Sequence, residues 1–395
     1  MIIPNLDYGG AQESFVWLSN RLAEEHKVIN VVFNTHNMGP YVFKAPLLSL
    51  DVPASAGLFM KLIRFFRRIQ KLRQIKQRYK VDISISFLEG ADYVNVLSRL
   101  TDRVILSFRG SKKYDFHIRG FSGWLRHRVL IPYCTARASA IVTLNKGVRN
   151  ELIQLYKVKT SVSIIHNALS PDRLVGQSLP AQIRSFFDVP VIISHGRLSP
   201  EKGYDKFLAV MAELKSRGAT CRFLLIGDGP EYQRLCSTCR SLNLRLAEGK
   251  LTGIFHAEAD VYLAGYCANP VQYLKHAAVF VLPSLHEGFS HSLGEALLCG
   301  IPVVAADCPY GPREILAPGT ERKKLTEVEW AGYGVLVPQW HVPQAVTWWA
   351  DALQAMLADR SKREQYGRLA RQRANDFSEN FVLQQWKELL ENVHG

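Results

Sequence analysis

Short runs of apolar, β-branched residues alternate with longer amphipathic stretches from end to end of the 395-residue chain. In the first half the pattern predicts strands at Lys27–Phe33, Asp82–Phe87, Arg103–Phe108, Ala140–Leu144 and Ser161–His166. In the second half it predicts them at Val189–His195, Cys221–Ile226, Val261–Ala264, Val279–Pro283, Pro302–Ala305 and Gly334–Val337. Apolar strands separated by helix-length crossovers are the signature of doubly wound parallel sheets. The alternation occurs twice, with a polar, proline-bearing break around Asn167–Val189. The fold class is therefore α/β, as two Rossmann-like domains at residues 1–170 and 171–376 with a closing amphipathic helix in 377–395. Met1–Pro4 offers a first strand shorter than the usual five or six residues.

Composition narrows the class. An apolar fraction of 47% is that of a globular protein, and no run reaches the roughly 18 apolar residues of a membrane-spanning helix. The first residues lack the basic and apolar regions of a cleaved leader. Seven cysteines, an odd number without a paired framework, point to a reducing compartment, so a cytoplasmic location is expected. Cys236 and Cys239 form a C-x-x-C with no second pair to complete a zinc site.

The net charge of +14 is unevenly spread: Lys61–Lys80 carries nine Lys/Arg and no acid. Such a basic half suits an anionic partner, whether lipid headgroups, a pyrophosphate-linked acceptor or nucleic acid, although a merely solvated basic surface has the same composition. If Lys61–Lys80 is helical, Leu62, Phe65, Phe66, Ile69 and Leu72 gather along one side, flanked by Arg64, Arg67, Arg68 and Lys71. That is the pattern of a helix lying on an anionic bilayer, with a core-packed helix as the plain alternative.

Candidate chemistry concentrates in the second half. The segment from His286 to Asp307 (HEGFSHSLGEALLCGIPVVAAD) follows a predicted buried strand, and Ser290 or Ser292 can cap the helix that carries Glu295. Glu287 precedes that helix by a few residues. Backbone N–H groups of its first turn form an anion site suited to a diphosphate, with a carboxylate on either side for hydroxyls. A second segment, HGRLSPEKGYDKFL from His195 to Leu208, puts Gly196, Arg197 and Lys202 after a strand, where doubly wound sheets bind ligands. Arginine offers a planar fork to phosphate and lysine a point charge. Gly9 and Gly10 mark the first strand-to-helix turn, and Ile226–Glu231 (IGDGPE) marks another. His117 is a candidate base, while Arg109, Lys112 and Lys113 are candidates for holding an anionic acceptor.

An oxidoreductase is disfavoured, because GGAQES does not supply the G-x-G-x-x-G of a dinucleotide site. A nucleic-acid-binding protein would explain the charge but not the Glu287–Glu295 segment. A sugar-nucleotide epimerase or phosphorylase on a similar fold is the nearest enzymatic alternative.

Taken in order, GGAQE, GRLSPEKG, IGDGPE and HEGFSHSLGEALLCGIPVVAADCPYGPREIL resemble retaining glycosyltransferase family 4, and the likeness covers nearly the whole chain. The form DCPYGPREIL resembles members acting in bacterial surface-polysaccharide assembly. The resemblance implies the GT-B fold, two Rossmann-like domains facing a cleft. It also implies a nucleotide-sugar donor, expected to be UDP-linked, and a lipid-linked or glycan acceptor. By the same resemblance Glu287 contacts the donor sugar, Glu295 the ribose, and Arg197 and Lys202 the diphosphate. Phe289, Ser290, Ser292 and Leu293 lie where backbone groups meet sugar and phosphate, Gly196 lines the same site, and Gly10 faces the donor. No metal or cofactor is expected and no nucleic-acid partner. The enzyme would act peripherally on an anionic membrane surface, at the inner face of the cell membrane. The family's acceptor-side histidine has no equivalent motif in this sequence, so the resemblance assigns no role to His117.

Overall fold

The computed structural model describes residues 1–36, 38–53, 57–114, 120–171, 179–249, 258–320 and 325–394. Two compact units divide the chain: Met1–Ala168 with Glu379–Gly395, and Leu169–Ser378. The closing helix, Glu379–His394, thus belongs with the first unit.

The first unit contains β1 (Ile2–Ile3), β2 (Asn30–Val32), β3 (Leu47–Ser49), β4 (Ile83–Phe87), β5 (Arg103–Phe108), β6 (Ala140–Thr143) and β7 (Val162–Ile164). They form one parallel sheet in the order β3-β2-β1-β4-β5-β6-β7, so the winding reverses at β1. Helices cover both faces, which is why the central strands read as continuous apolar runs instead of alternating. On one face Phe15 meets Phe87 edge-on at 5.4 Å, and Trp386 of the closing helix stacks on Phe87 at 6.4 Å. Val382, Trp386, Leu389 and Leu390 recur at helical spacing and are all buried there. The start of that helix is fixed by Glu379, which accepts from Trp17 Nε1 at 2.6 Å and pairs with Arg21 at 2.5 Å.

The other face explains the basic helix, Leu58–Tyr79. Leu72 is buried, and Phe65, Ile69 and Ile75 pack with it against Val31, Phe33, Leu50 and Val52. Arg64 donates to Pro53 O at 3.0 Å, Arg68 to Val52 O at 2.8 Å, and Lys71 to Leu50 O at 2.5 Å. The stripe expected to lie on a bilayer is therefore divided. Phe65, Ile69 and Leu72 serve the core, and three of the four flanking cations satisfy backbone carbonyls. Phe59, Met60, Leu62 and Phe66 remain exposed. Period alone cannot distinguish one broad apolar face from two adjacent ones.

The second unit contains β8 (Val191–His195), β9 (Arg222–Ile226), β10 (Leu246–Glu248), β11 (Val261–Leu263), β12 (Val279–Leu282), β13 (Val303–Ala306), β14 (Glu329–Trp330) and β15 (Val335–Val337). Their order is β10-β11-β9-β8-β12-β13-β15-β14, parallel except for the β14–β15 pair. Phe207, Phe223 and Trp349 form its aromatic centre, with ring separations of 4.8 and 5.5 Å. Cys236 and Cys239 are buried in this core, and burial pushes their thiols up to about 11 and about 12, so they act as small apolar side chains. No helix among the described residues is long and apolar enough to cross a membrane.

Candidate active site

In the second unit β8 lies between β9 and β12, so its sheet order reverses there. The carboxyl ends of strands at such a switch point form the ligand crevice of doubly wound sheets. His195–Lys202 leaves β8 at that edge and Pro283–Glu287 leaves β12 beside it.

Two backbone devices hold these loops together. Gly203, at φ +66°, follows the short Pro200–Lys202 turn, and a Cβ there would lie 2.3 Å from Pro283 O. Only glycine admits this approach in a left-handed conformation. Leu285 N then donates to Glu201 O at 2.8 Å, which ties the β8 loop to the β12 loop. At Gly227 a Cβ would lie 1.9 Å from Gly196 O, so the IGDGPE turn packs directly on the loop carrying Gly196.

The result brings Lys202 and Glu287 into contact, Nζ to Oε1, at 2.7 Å. Ser284 Oγ donates to the same carboxylate oxygen at 2.8 Å, and Glu287 N donates to Pro309 O at 2.8 Å. Burial disfavours the Lys202 ammonium, but the Glu287 charge, with Tyr204 and Glu201, outweighs that and raises its pKa. Lys202 is cationic throughout the physiological range. Arg197 is exposed on the same loop, and its side chain has no partner among the described residues.

Glu295 lies on the helix His291–Cys299, buried, with Oε2 3.1 Å from His195 Nε2. Ser290 is the N-cap and accepts from Leu293 N at 3.4 Å, while Ser290 and Ser292 share a hydrogen bond of 2.8 Å. The N-terminus of this helix, with its positive dipole end, thus falls in the chain after Glu287 and four residues before Glu295. Phe289 turns its ring inward onto Phe377 at 5.2 Å and Leu293 is fully buried, which leaves their backbones as the groups able to meet a ligand. His195 and Ser284 were not singled out from the sequence. His195 is the last residue of β8, and a polar residue at a strand's carboxyl end was the available signal.

Gly10 and Arg109 belong to the first unit. Gly10 opens the helix Gly10–Leu22; Gly9 before it has an extended φ of 171°, open to any residue. Arg109 is half-buried, donates to Asn167 Oδ1 and to Ser107 Oγ at 3.3 Å, and lies 4.9 Å over the Phe87 ring. Its Nε has no partner among the described residues, and burial lowers the guanidinium to about 9. Lys112 pairs with Glu89 at 3.1 Å, and Arg126 grips the same carboxylate through two nitrogens at 2.6 and 2.5 Å. Burial works to raise Glu89, but the Arg126 bonds and the Lys112 charge hold it down at about 2. His117 lies outside the described residues.

Residues 177–373 match the family model for group 1 glycosyl transferases. A glycosyltransferase of Methanocaldococcus jannaschii, itself uncharacterised, is 25% identical over 84% of this chain and 84% of its own. The chain is a glycosyltransferase. The enzyme is also 23% identical, over 99% of its length and 98% of the relative's, to a Campylobacter jejuni protein. That relative is named as an α-1,4-N-acetyl-D-galactosaminyltransferase acting on a diphospho-undecaprenol-linked glycan. Among solved structures, an Anabaena protein in complex with UDP-glucose has the same fold, with a TM-score of 0.74 and 17% identity over 99% of the enzyme and 100% of that chain. A Rickettsia africae glycosyltransferase gives 0.73 at 14% identity, covering 99% and 98%.

Proposed function

We propose that the enzyme transfers a sugar, with retention of anomeric configuration, from a UDP-linked donor to a lipid-linked or polysaccharide acceptor in cell-surface glycan assembly. The observation that carries this reading is the Lys202–Glu287 pair at the carboxyl ends of β8 and β12, beside the capped helix that bears Glu295. As the glycosidic bond breaks, negative charge grows on the departing diphosphate. Lys202, Arg197 and the His291–Cys299 helix N-terminus stabilise that charge more in the transition state than in the ground state. Glu287 accepts hydrogen bonds from donor-sugar hydroxyls and Glu295 from the ribose. With two cations and a helix dipole meeting the diphosphate, the chemistry proceeds without a bound divalent ion.

The UDP-glucose complex of the Anabaena neighbour and the lipid-diphosphate acceptor in the Campylobacter relative's name support the donor and acceptor classes. On the acceptor side we assign Arg109, the guanidinium that follows the carboxyl end of β5. Attachment to an anionic membrane falls to the exposed stripe Phe59, Leu62 and Phe66, at three- and four-residue spacing, with Lys61 and Arg67 exposed beside it. A panel of nucleotide sugars scored by thermal stabilisation tests the donor; a ligand at 100 times its Kd stabilises by about 2.7 kcal/mol. Anomeric analysis of the product tests retention. Stabilisation by no nucleotide sugar would contradict the reading.

A further inference from the structure

A second charged site lies in the first unit, at the opposite edge of its sheet from the one where doubly wound folds bind substrates. A cavity of about 640 Å³ opens beneath the amino ends of β4 and β5, lined by Arg73, Lys76, Lys80 and Arg103. A second, of about 490 Å³, opens beneath β5 and β6 and is lined by Arg99, Arg103 and Arg137. Arg103 lines both, so the two adjoin along one basic cleft.

The floor of this cleft is built. Lys76 and Asp102 are buried at 3% and 1% exposure and pair at 2.8 Å. Ser84 donates to the same Asp102 oxygen at 2.6 Å, and Leu100 N donates to the other at 2.9 Å. Asp102 is thereby fully engaged and offers no charge to the rim. Arg99 is fixed by bonds to Asp102 O at 3.2 Å and Arg137 O at 3.1 Å.

The rim is different. Arg73, Lys80 and Arg103 are exposed, and none has a counter-ion among the described residues; Asp82 is the acid that lines the cavity. Proximity to the C-terminal end of the Leu58–Tyr79 helix accounts for Lys76 and Lys80. The carboxyl end of the closing helix, through Asn392, Val393 and His394, also lines the cleft beside Arg99, Arg103 and Arg137, but a helix end carries only a partial charge and does not balance the exposed cations. Several unpaired cations around one concavity repel one another, and a multiply charged anion relieves that repulsion. Both cavities are open concavities, within reach of an anion arriving from solvent.

We propose that this cleft binds a soluble, multiply charged phosphate anion, such as a polyphosphate, at a site separate from the donor crevice. Arginine forks and a lysine charge on a concave rim are the recognition chemistry for phosphate oxygens.

The test is calorimetric titration of inorganic tripolyphosphate into four purified full-length chains. These are the native chain, Lys202→Ala, the cleft variant Arg73→Gln/Lys80→Gln/Arg103→Gln, and a charge-matched control, Lys159→Gln/Lys206→Gln/Arg368→Gln. The Lys202→Ala chain and the control should retain the cleft binding event. The cleft variant should weaken it by about 100-fold or more, the scale of losing several charge-assisted contacts. Equal weakening in the charge-matched control, or unchanged binding in a cleft variant with native circular dichroism, would overturn the proposal. So would binding confined to phosphatidylglycerol vesicles or single-stranded RNA, with none of free tripolyphosphate. Since the donor residues are varied separately, failure here leaves the donor assignment standing.

Discussion

The carboxyl edges of the two sheets are built by different means. In the second unit, backbone closeness sets the site: Gly203 and Gly227 admit contacts that a Cβ would block, and Lys202 and Glu287 meet as a consequence. In the first unit, side chains far apart in sequence set it. Arg109 reaches Asn167, Lys112 and Arg126 reach Glu89, and Ser14 Oγ donates to Asn167 at 2.9 Å. A site framed by glycines tolerates little change and leaves a local sequence trace. A site framed by long-range side-chain pairs leaves no such local trace.

The largest effect is expected where the comparison is sharpest. Glu287→Ala and Lys202→Ala should each lower turnover by about 100-fold or more with the far-UV circular dichroism unchanged, the scale of losing one preorganised group. Arg109→Ala should instead raise the acceptor KM and leave the donor KM near the native value, in steady-state rates with each substrate varied. Equal loss in both parameters would erase the division between the edges.

Backbone substitutions sharpen it further. Gly227→Ala should destabilise the protein by about 1–3 kcal/mol, since the added methyl must displace Gly196 O. Gly9→Ala, whose Cβ meets the Gln12 side-chain oxygen at 2.7 Å and no backbone atom, should cost less than Gly227→Ala. Denaturant melts of both variants decide the point.

The same contrast governs what could be read from the sequence. The central strands were legible because burial on both faces makes them uniformly apolar. β3, β10 and β14, with two or three residues each, are too short for any period to register. Glu287, Glu295, Arg197 and Lys202 could be nominated from the sequence because they sit in two local segments with recognisable glycines and caps, and of these the structure brings Lys202 and Glu287 into contact. The Glu89–Lys112–Arg126 cluster could not be, because no local pattern links residues so far apart. The basic helix was read as one face because the backbone carbonyls that receive Arg64, Arg68 and Lys71 belong to another segment.

Acid should distinguish the units too. Glu89 is held at about 2, against an ordinary value near 4.5. A carboxyl depressed on folding stabilises the native state above its unfolded pKa. The first unit should therefore lose this contribution as pH falls from about 4.5 towards about 2. Glu89→Gln should flatten that part of the stability profile. Transfer should persist in excess EDTA; complete loss restored by magnesium or manganese would contradict the accounting of charge at the diphosphate. The smallest effect concerns the exposed stripe. Lys61→Gln/Arg67→Gln should weaken sedimentation with anionic vesicles at low salt, at about 1 kcal/mol per charge, and leave neutral vesicles unaffected.

The central claim is that Lys202 holds the donor diphosphate and Glu287 the donor sugar. Calorimetric titration of UDP and of the best-binding UDP-sugar into the native, Lys202→Ala and Glu287→Ala chains tests it directly. Lys202→Ala should weaken both ligands by about tenfold or more, as expected for one charge-assisted contact. Glu287→Ala should leave UDP affinity near the native value and abolish the additional affinity that the sugar confers. Native UDP affinity in Lys202→Ala, or loss of UDP and UDP-sugar binding alike in Glu287→Ala, would contradict the assignment.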